Sequence, residues 1–190
     1  MGQTCIPGAS VATLGVAGQT TVLPPGTYAS SYRVVGDLLL TNGIYTFQGA
    51  TFYVDGQASN RPRQVTGGTM TLGANASLTL DNATLTNSGS TPGCPMWRGL
   101  VLNHQGQGPG GTYRLVMQNN STISNALCGI AIDDISNNGY TGTSNYLLDH
   151  VTFANNLTHV SDRTYHPGTQ PSLITNCTFS SDPSQMHFPY

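Results

Sequence analysis

The chain of 190 residues has no lysine and no glutamate; its charges are six Arg and eight Asp, 7% of the sequence, against roughly 25% in ordinary globular domains. With the long helix-favouring charged side chains missing, and no stretch showing helical periodicity, an α-helical architecture is excluded. A net charge of −2 without any cluster of cations removes the electrostatic footing for nucleic-acid binding. No apolar run approaches the ~20 residues that a membrane-spanning helix needs, so no membrane insertion is expected. The opening Met1-Gly-Gln-Thr-Cys5 has no charged-then-apolar leader, so the expectation is either a cytosolic chain or one whose signal has been removed. The four cysteines form no CxxC pair, which gives no zinc spacing.

In place of charge stand 25 Thr, 23 Gly and 15 Asn, residues suited to strands, tight corners and left-handed backbone. A short phrase recurs five times: Phe47-Gln-Gly-Ala-Thr-Phe52, Leu80-Asp-Asn-Ala-Thr-Leu85, Met117-Gln-Asn-Asn-Ser-Thr-Ile123 (one residue longer), Leu148-Asp-His-Val-Thr-Phe153 and Ile174-Thr-Asn-Cys-Thr-Phe179. The copies start 33, 37, 31 and 26 residues apart, the signature of a solenoid with one turn per copy. A second register supports it: Trp97-Arg-Gly-Leu-Val-Leu102, Leu127-Cys-Gly-Ile-Ala-Ile132 and Leu157-Thr-His-Val160 superpose at a spacing of 30 residues. Apolar residues alternate with small or polar ones in each, as in a strand with one buried face.

The fold expected is a single all-β domain, a single-stranded right-handed parallel β-helix of about five to six rungs with an N-terminal cap and corner loops. Residues 1–36 lack the phrase and form the cap, with Leu23-Pro-Pro-Gly-Thr-Tyr28 as a proline-fixed turn; residues 37–190 form the rungs. Ala50, Ala83, Ser121, Val151 and Cys177 are expected in one thin inward column, and Phe52, Leu85, Ile123, Phe153 and Phe179 in a thicker one beside it. Trp97, aligned with Leu127 and Leu157, belongs to the core. Cys94 and Cys128, near the starts of successive rungs, could approach one another as a disulfide, which would suit an oxidising compartment. Cys5 either ties down the amino-terminal segment or stays a thiol. The sequence stops at Tyr190 straight after the fifth phrase, without a polar closing rung. Three explanations are open: a tail folded over the end, a piece of a longer solenoid, which is favoured, or end-to-end self-association through an uncapped last rung.

Leu23-Pro-Pro-Gly-Thr-Tyr28, Gly36-Asp-Leu-Leu-Leu-Thr-Asn-Gly43, Cys94-Pro-Met-Trp-Arg-Gly-Leu100 and the Asn-Cys-Thr-Phe run ending at Phe179 resemble right-handed parallel β-helix segments of large secreted proteins of Bacteroidota. The most specific piece is Cys94 through Leu100. The resemblance implies export and attachment at the cell surface through the type IX system, by a sorting domain that these residues do not contain. It carries over no catalytic residue.

At a spacing of 30 residues the edge after the second register stacks Asn103 and His104, then Asp133 and Asp134, then Asp162, Arg163 and, beyond a turn, His166. Rungs lie ~4.8 Å apart, so carboxylates one and two rungs apart bracket the separations used by retaining and inverting glycosidases. An Asp pair there could also hold a calcium ion while Arg163 takes a proton, as in a polysaccharide lyase. The plainer reading is that Asp and Asn cap the corners through their side chains, with His and Arg as their partners. Tyr140 and Tyr165, in Gly-rich loops beside this edge, together with Asn103 and His104, are the candidates for contacting a sugar. Outward from the buried columns, Thr51, Thr84, Thr86, Thr122, Ser124, Thr152, Thr178 and Ser180 form a hydroxyl ladder, interrupted by Tyr53 and Ala154. The function expected is an extracellular or cell-surface structural and adhesive module contacting a polysaccharide or another surface partner, without catalysis and without a resident cofactor. The alternatives are a polysaccharide lyase or glycoside hydrolase at the Asp/Arg/His edge, and ice binding through the ladder.

Overall fold

The computed structural model describes residues 11–56, 68–73, 75–89, 94–103, 114–133, 145–162 and 172–182, with Asn103 and Asp133 described through their backbone alone. Strands numbered in chain order fall into three parallel sheets. The first holds β1 (Ala12–Leu14), β4 (Tyr32–Val34), β7 (Thr51–Val54), β10 (Thr84–Asn87), β13 (Thr122–Ser124), β16 (Thr152–Ala154) and β19 (Thr178–Ser180). The second holds β2 (Thr20–Leu23), β5 (Asp37–Leu40), β8 (Thr69–Leu72), β11 (Gly99–Asn103), β14 (Cys128–Asp133) and β17 (Thr158–Asp162). The third holds β3 (Gly26–Tyr28), β6 (Gly43–Gln48), β9 (Ala76–Asp81), β12 (Leu115–Gln118), β15 (Tyr146–Asp149) and β18 (Leu173–Thr175). The chain visits the sheets in strict rotation and each strand pairs with the one three places on, which is a parallel β-helix. Among the described residues there is no helix, and so none long and apolar enough to cross a membrane.

The winding is already under way inside the segment expected to be a cap. Ala12, Thr13 and Leu14 pair with Tyr32, Arg33 and Val34, and these with Phe52, Tyr53 and Val54. The corner from β3 to β4, where later turns carry the phrase, is spanned by Ala29, Ser30 and Ser31 instead, and Gly15 and Gly36 turn the corners from the first sheet into the second, where later turns use Asn125 and Asn155. Gly36 has φ 83°, and a side chain on it would run into the carbonyl oxygens of Val16 and Gln19.

Each phrase forms the corner from the third sheet into the first. Gly49, Asn82, Asn119, Asn120, His150 and Asn176 have φ between 50° and 63°, the left-handed region that Gly and Asn enter most readily. The residues that follow alternate inward and outward. Ala50, Ala83, Ser121 and Val151 are buried, as are Phe52, Leu85, Ile123 and Phe153. The longer third copy shows how an inserted residue is accommodated: the Ser121 hydroxyl accepts the buried Ala83 N–H at 3.1 Å and donates to the Gln118 carbonyl at 2.7 Å. Aromatic rings cluster towards both ends of the described core, and aliphatic chains with the single Trp97 fill its middle. Phe47 stacks on Phe52 at 4.1 Å with Tyr28 and Tyr32 edge-on or tilted against them, while Phe153 stacks on Phe179 at 5.2 Å. Phe179, on the last described turn, remains 47% exposed.

Two expectations need correction. Cys94 is disulfide-bonded but Cys128 and Cys177 are thiols, so the Cys94–Cys128 pairing is not made; the bonded partner of Cys94 lies outside the described residues. Trp97 is core, fully buried with its indole N–H donated to the Ser124 carbonyl at 2.9 Å, yet it pairs with Ala126 rather than Leu127. From Trp97 to Leu100 is three steps and from Ala126 to Ile130 is four, so the later strand carries a bulge that turns Leu127 outward. Gly99 makes room for it: at φ 117°, a Cβ there would overlap the Cys128 carbonyl oxygen.

Candidate functional site

The corner where the second sheet hands over to the third is where the titratable candidates were expected to gather. His104, Asp134, Tyr140, Arg163, Tyr165 and His166 lie outside the described residues; in chain order they belong to the connections leaving β11, β14 and β17. Asn103 and Asp133 are direct partners across β11 and β14, so that pair is stacked as expected. Asp162 pairs with Ile132 and continues the file of Leu40, Leu72, Leu102 and Ile132, rather than standing beside Asp133. Its carboxylate accepts the Tyr146 hydroxyl at 3.1 Å. Burial first, and the Asp162 charge after it, push the Tyr146 phenol up to about 12, so it is a neutral hydrogen-bond donor.

Asp81, Asp55 and Asp149 likewise serve corners. Asp81 accepts the Asn119 amide at 2.6 Å, and Asp55 holds Arg33 through two bonds at 2.7 and 3.1 Å. Asp149 accepts Thr175 at 2.8 Å and Asn176 at 3.0 Å, with His150 Nδ1 also 3.0 Å away; the amide, the hydroxyl and the imidazole in that order bring its carboxyl down to about 2. Arg114, fully buried, donates to the carbonyls of Leu72, Gly73 and Ala76 and so plugs the second-to-third corner of the turn beneath. Among the described residues no three His, Cys, Asp or Glu side chains gather to hold a cation.

The hydroxyl ladder is in register. Thr51, Thr84, Thr122, Thr152 and Thr178 are successive direct partners on the first sheet. In the neighbouring outward file Ser124 donates to Thr86 at 2.9 Å, with Tyr53 on one side and Ala154, then Ser180, on the other.

A groove of about 580 Å³ lies over the outward face of the second sheet, a place the sequence reading did not single out. One outward file along it is Thr20, Asp37 and Thr69, and the next is Leu39, Thr71, Val101 and Ala131. Arg98, Leu127 and Cys128, at the bulge, complete it. It crosses five strands, β2 to β14, or ~19 Å at the usual strand spacing. Its apolar members escaped notice because Leu39 and Val101 sit in runs, Leu38-Leu39-Leu40 and Leu100-Val101-Leu102, that read as core throughout. Period two was the available signal: the middle residue of each run must face away from its neighbours.

No protein-family model, no curated protein and no solved structure matches this chain.

Proposed function

We propose that the protein is an extracellular adhesive module that holds an extended polysaccharide along the outward face of its second sheet, without catalysing a reaction. The groove carries this reading. It follows the solenoid axis across five turns, its floor mixes small apolar side chains with threonine hydroxyls, and its strands are held in place from below by the buried core, as a site for a linear chain of sugars requires. In chain order His104 and Tyr140 follow β11 and β14, two of the groove's own strands, and Tyr165 follows β17, the next strand of the same sheet. The disulfide at Cys94 supports an oxidising compartment. Together with the Cys94–Leu100 phrase, it supports export and surface sorting in a Bacteroidota cell.

Retention of the purified chain on insoluble polysaccharides, with calorimetry on soluble ones, tests the proposal. Val101→Arg or Ala131→Arg, which fill the groove, should abolish retention, and Thr122→Lys on the first sheet should not. Failure of every polysaccharide tested to retain the chain would refute adhesion. Reducing or unsaturated ends that appear with or without calcium, and vanish in Asp133→Ala, would replace adhesion with the hydrolase or lyase alternative.

The in-register threonine file favours a second reading, ice binding by the first sheet, since a flat, rigid array of hydroxyls and methyls can order water. Thermal hysteresis that disappears in Thr122→Lys and persists in Val101→Arg would establish it; no hysteresis in the unaltered chain would end it.

A further inference from the structure

Resting on the groove as the binding face, we infer that its ligand is an acidic polysaccharide in which uronic acids alternate with neutral sugars. The three described arginines have different surroundings. Arg33 is tied to Asp55, and Arg114 is buried against backbone carbonyls. Arg98 is exposed on the groove, and its guanidinium makes no hydrogen bond or ion pair among the described residues. A guanidinium held on a rigid strand end offers a planar fork that fits one carboxylate.

Asp37 supplies the second constraint. Its Oδ1 accepts the Thr69 N–H at 2.8 Å, which fixes the carboxylate in the groove, and Oδ2 makes no hydrogen bond among the described residues. Sugar hydroxyls are donors of the kind it lacks, whereas a second ligand carboxylate would be repelled. Asp37 and Arg98 sit two turns apart, because Thr69 follows Asp37 and pairs with Gly99, the neighbour of Arg98. That is ~10 Å along the axis, about the length of a disaccharide. A chain with a carboxylate on every ring would set one against Asp37; a chain alternating acidic and neutral rings presents a carboxylate to Arg98 and hydroxyls to Asp37. In the neighbouring file, at the same two turns, Leu39 and Val101 give the ring faces an apolar floor, with Thr71 between them.

The test compares hyaluronan, carboxyl-reduced hyaluronan, polygalacturonate and a neutral glucan by calorimetry on the full chain. Hyaluronan should bind best, and carboxyl reduction should weaken it by about tenfold or more, the usual worth of one charge-assisted pair. Arg98→Gln should cost the unmodified polymer the same factor and leave the reduced one unchanged. Asp37→Asn, which keeps the acceptor for the Thr69 N–H, should raise polygalacturonate binding. If the reduced or neutral polymer binds as well as hyaluronan, and Arg98→Gln changes nothing, the charge assignment is wrong while adhesion stands. If polygalacturonate binds best in the unaltered chain, the alternation is wrong. If none of these nor any other polysaccharide binds, adhesion itself fails and takes this inference with it.

Discussion

Ser121 stands where the other phrases carry Ala, Val or Cys, and it is there because its phrase is one residue longer. Its hydroxyl accepts the buried Ala83 N–H. Ser121→Ala should therefore leave an orphaned buried donor and lower stability by ~1–3 kcal/mol in urea unfolding. Deleting Asn120 together with Ser121→Ala restores the six-residue phrase and should recover most of that loss. The serine was legible as an inward residue from its place before the conserved threonine. Its hydrogen-bonding task was not, since that depends on where the inserted asparagine sends the backbone. The same limit applies to Trp97: its burial could be read from the apolar pattern, but its alignment with Leu127 assumed a constant spacing, which the bulge beside Gly99 breaks.

At the scale of elements, β17 and β19 meet around His159. Its ring lies 5.5 Å from Phe179 and 6.3 Å from Phe153, with Nε2 3.2 Å from the Ser181 hydroxyl and Nδ1 3.5 Å from the Asn156 amide nitrogen. Asn156 is fixed in that orientation, since its Oδ1 accepts the Ala126 N–H and its Nδ2 donates to the Ile123 carbonyl. An imidazolium would turn a second N–H towards this donor, and burial already holds the His159 pKa below its ordinary 6.5. A folded-state pKa below the unfolded one means a contribution that is whole above pH 6.5 and lost as pH falls from there towards the depressed value. Amide exchange across β17 and β19 should accordingly accelerate on acidification through that window, while β9 and β12 stay protected, and His159→Gln should abolish the difference. The second register made β17 predictable and the repeated phrase β19. The winding of residues 12–34 was not, because glycine corners and three-residue strands carry too little pattern to distinguish a turn of the helix from a cap.

For the molecule as a whole, each turn touches only those above and below, so damage in the middle and damage at the end should differ in kind. Leu102→Ala, at a fully buried position between Leu72 and Ile132, should cost ~2–5 kcal/mol and lower the melting temperature of the entire stack. Phe179→Ala removes a half-exposed ring stacked on one neighbour; it should cost less and be felt as faster exchange in β18 and β19 alone. The solenoid was readable from five phrases and their spacing because strand order here follows chain order. The groove was hidden because it depends on which residue of an apolar triplet faces outward, and its floor carries few of the charged side chains that mark a site in a sequence.

Parallel stacking also gives the solenoid a mechanical grain. The hydrogen bonds of all three sheets lie close to one direction, the long axis, so tension along that axis loads the bonds of three strands together at every boundary between turns. Force drawn from a chain end instead meets them a strand at a time, and the coil unwinds. A tether made from this solenoid would hold best when gripped across its flank, where a ligand in the groove would grip it.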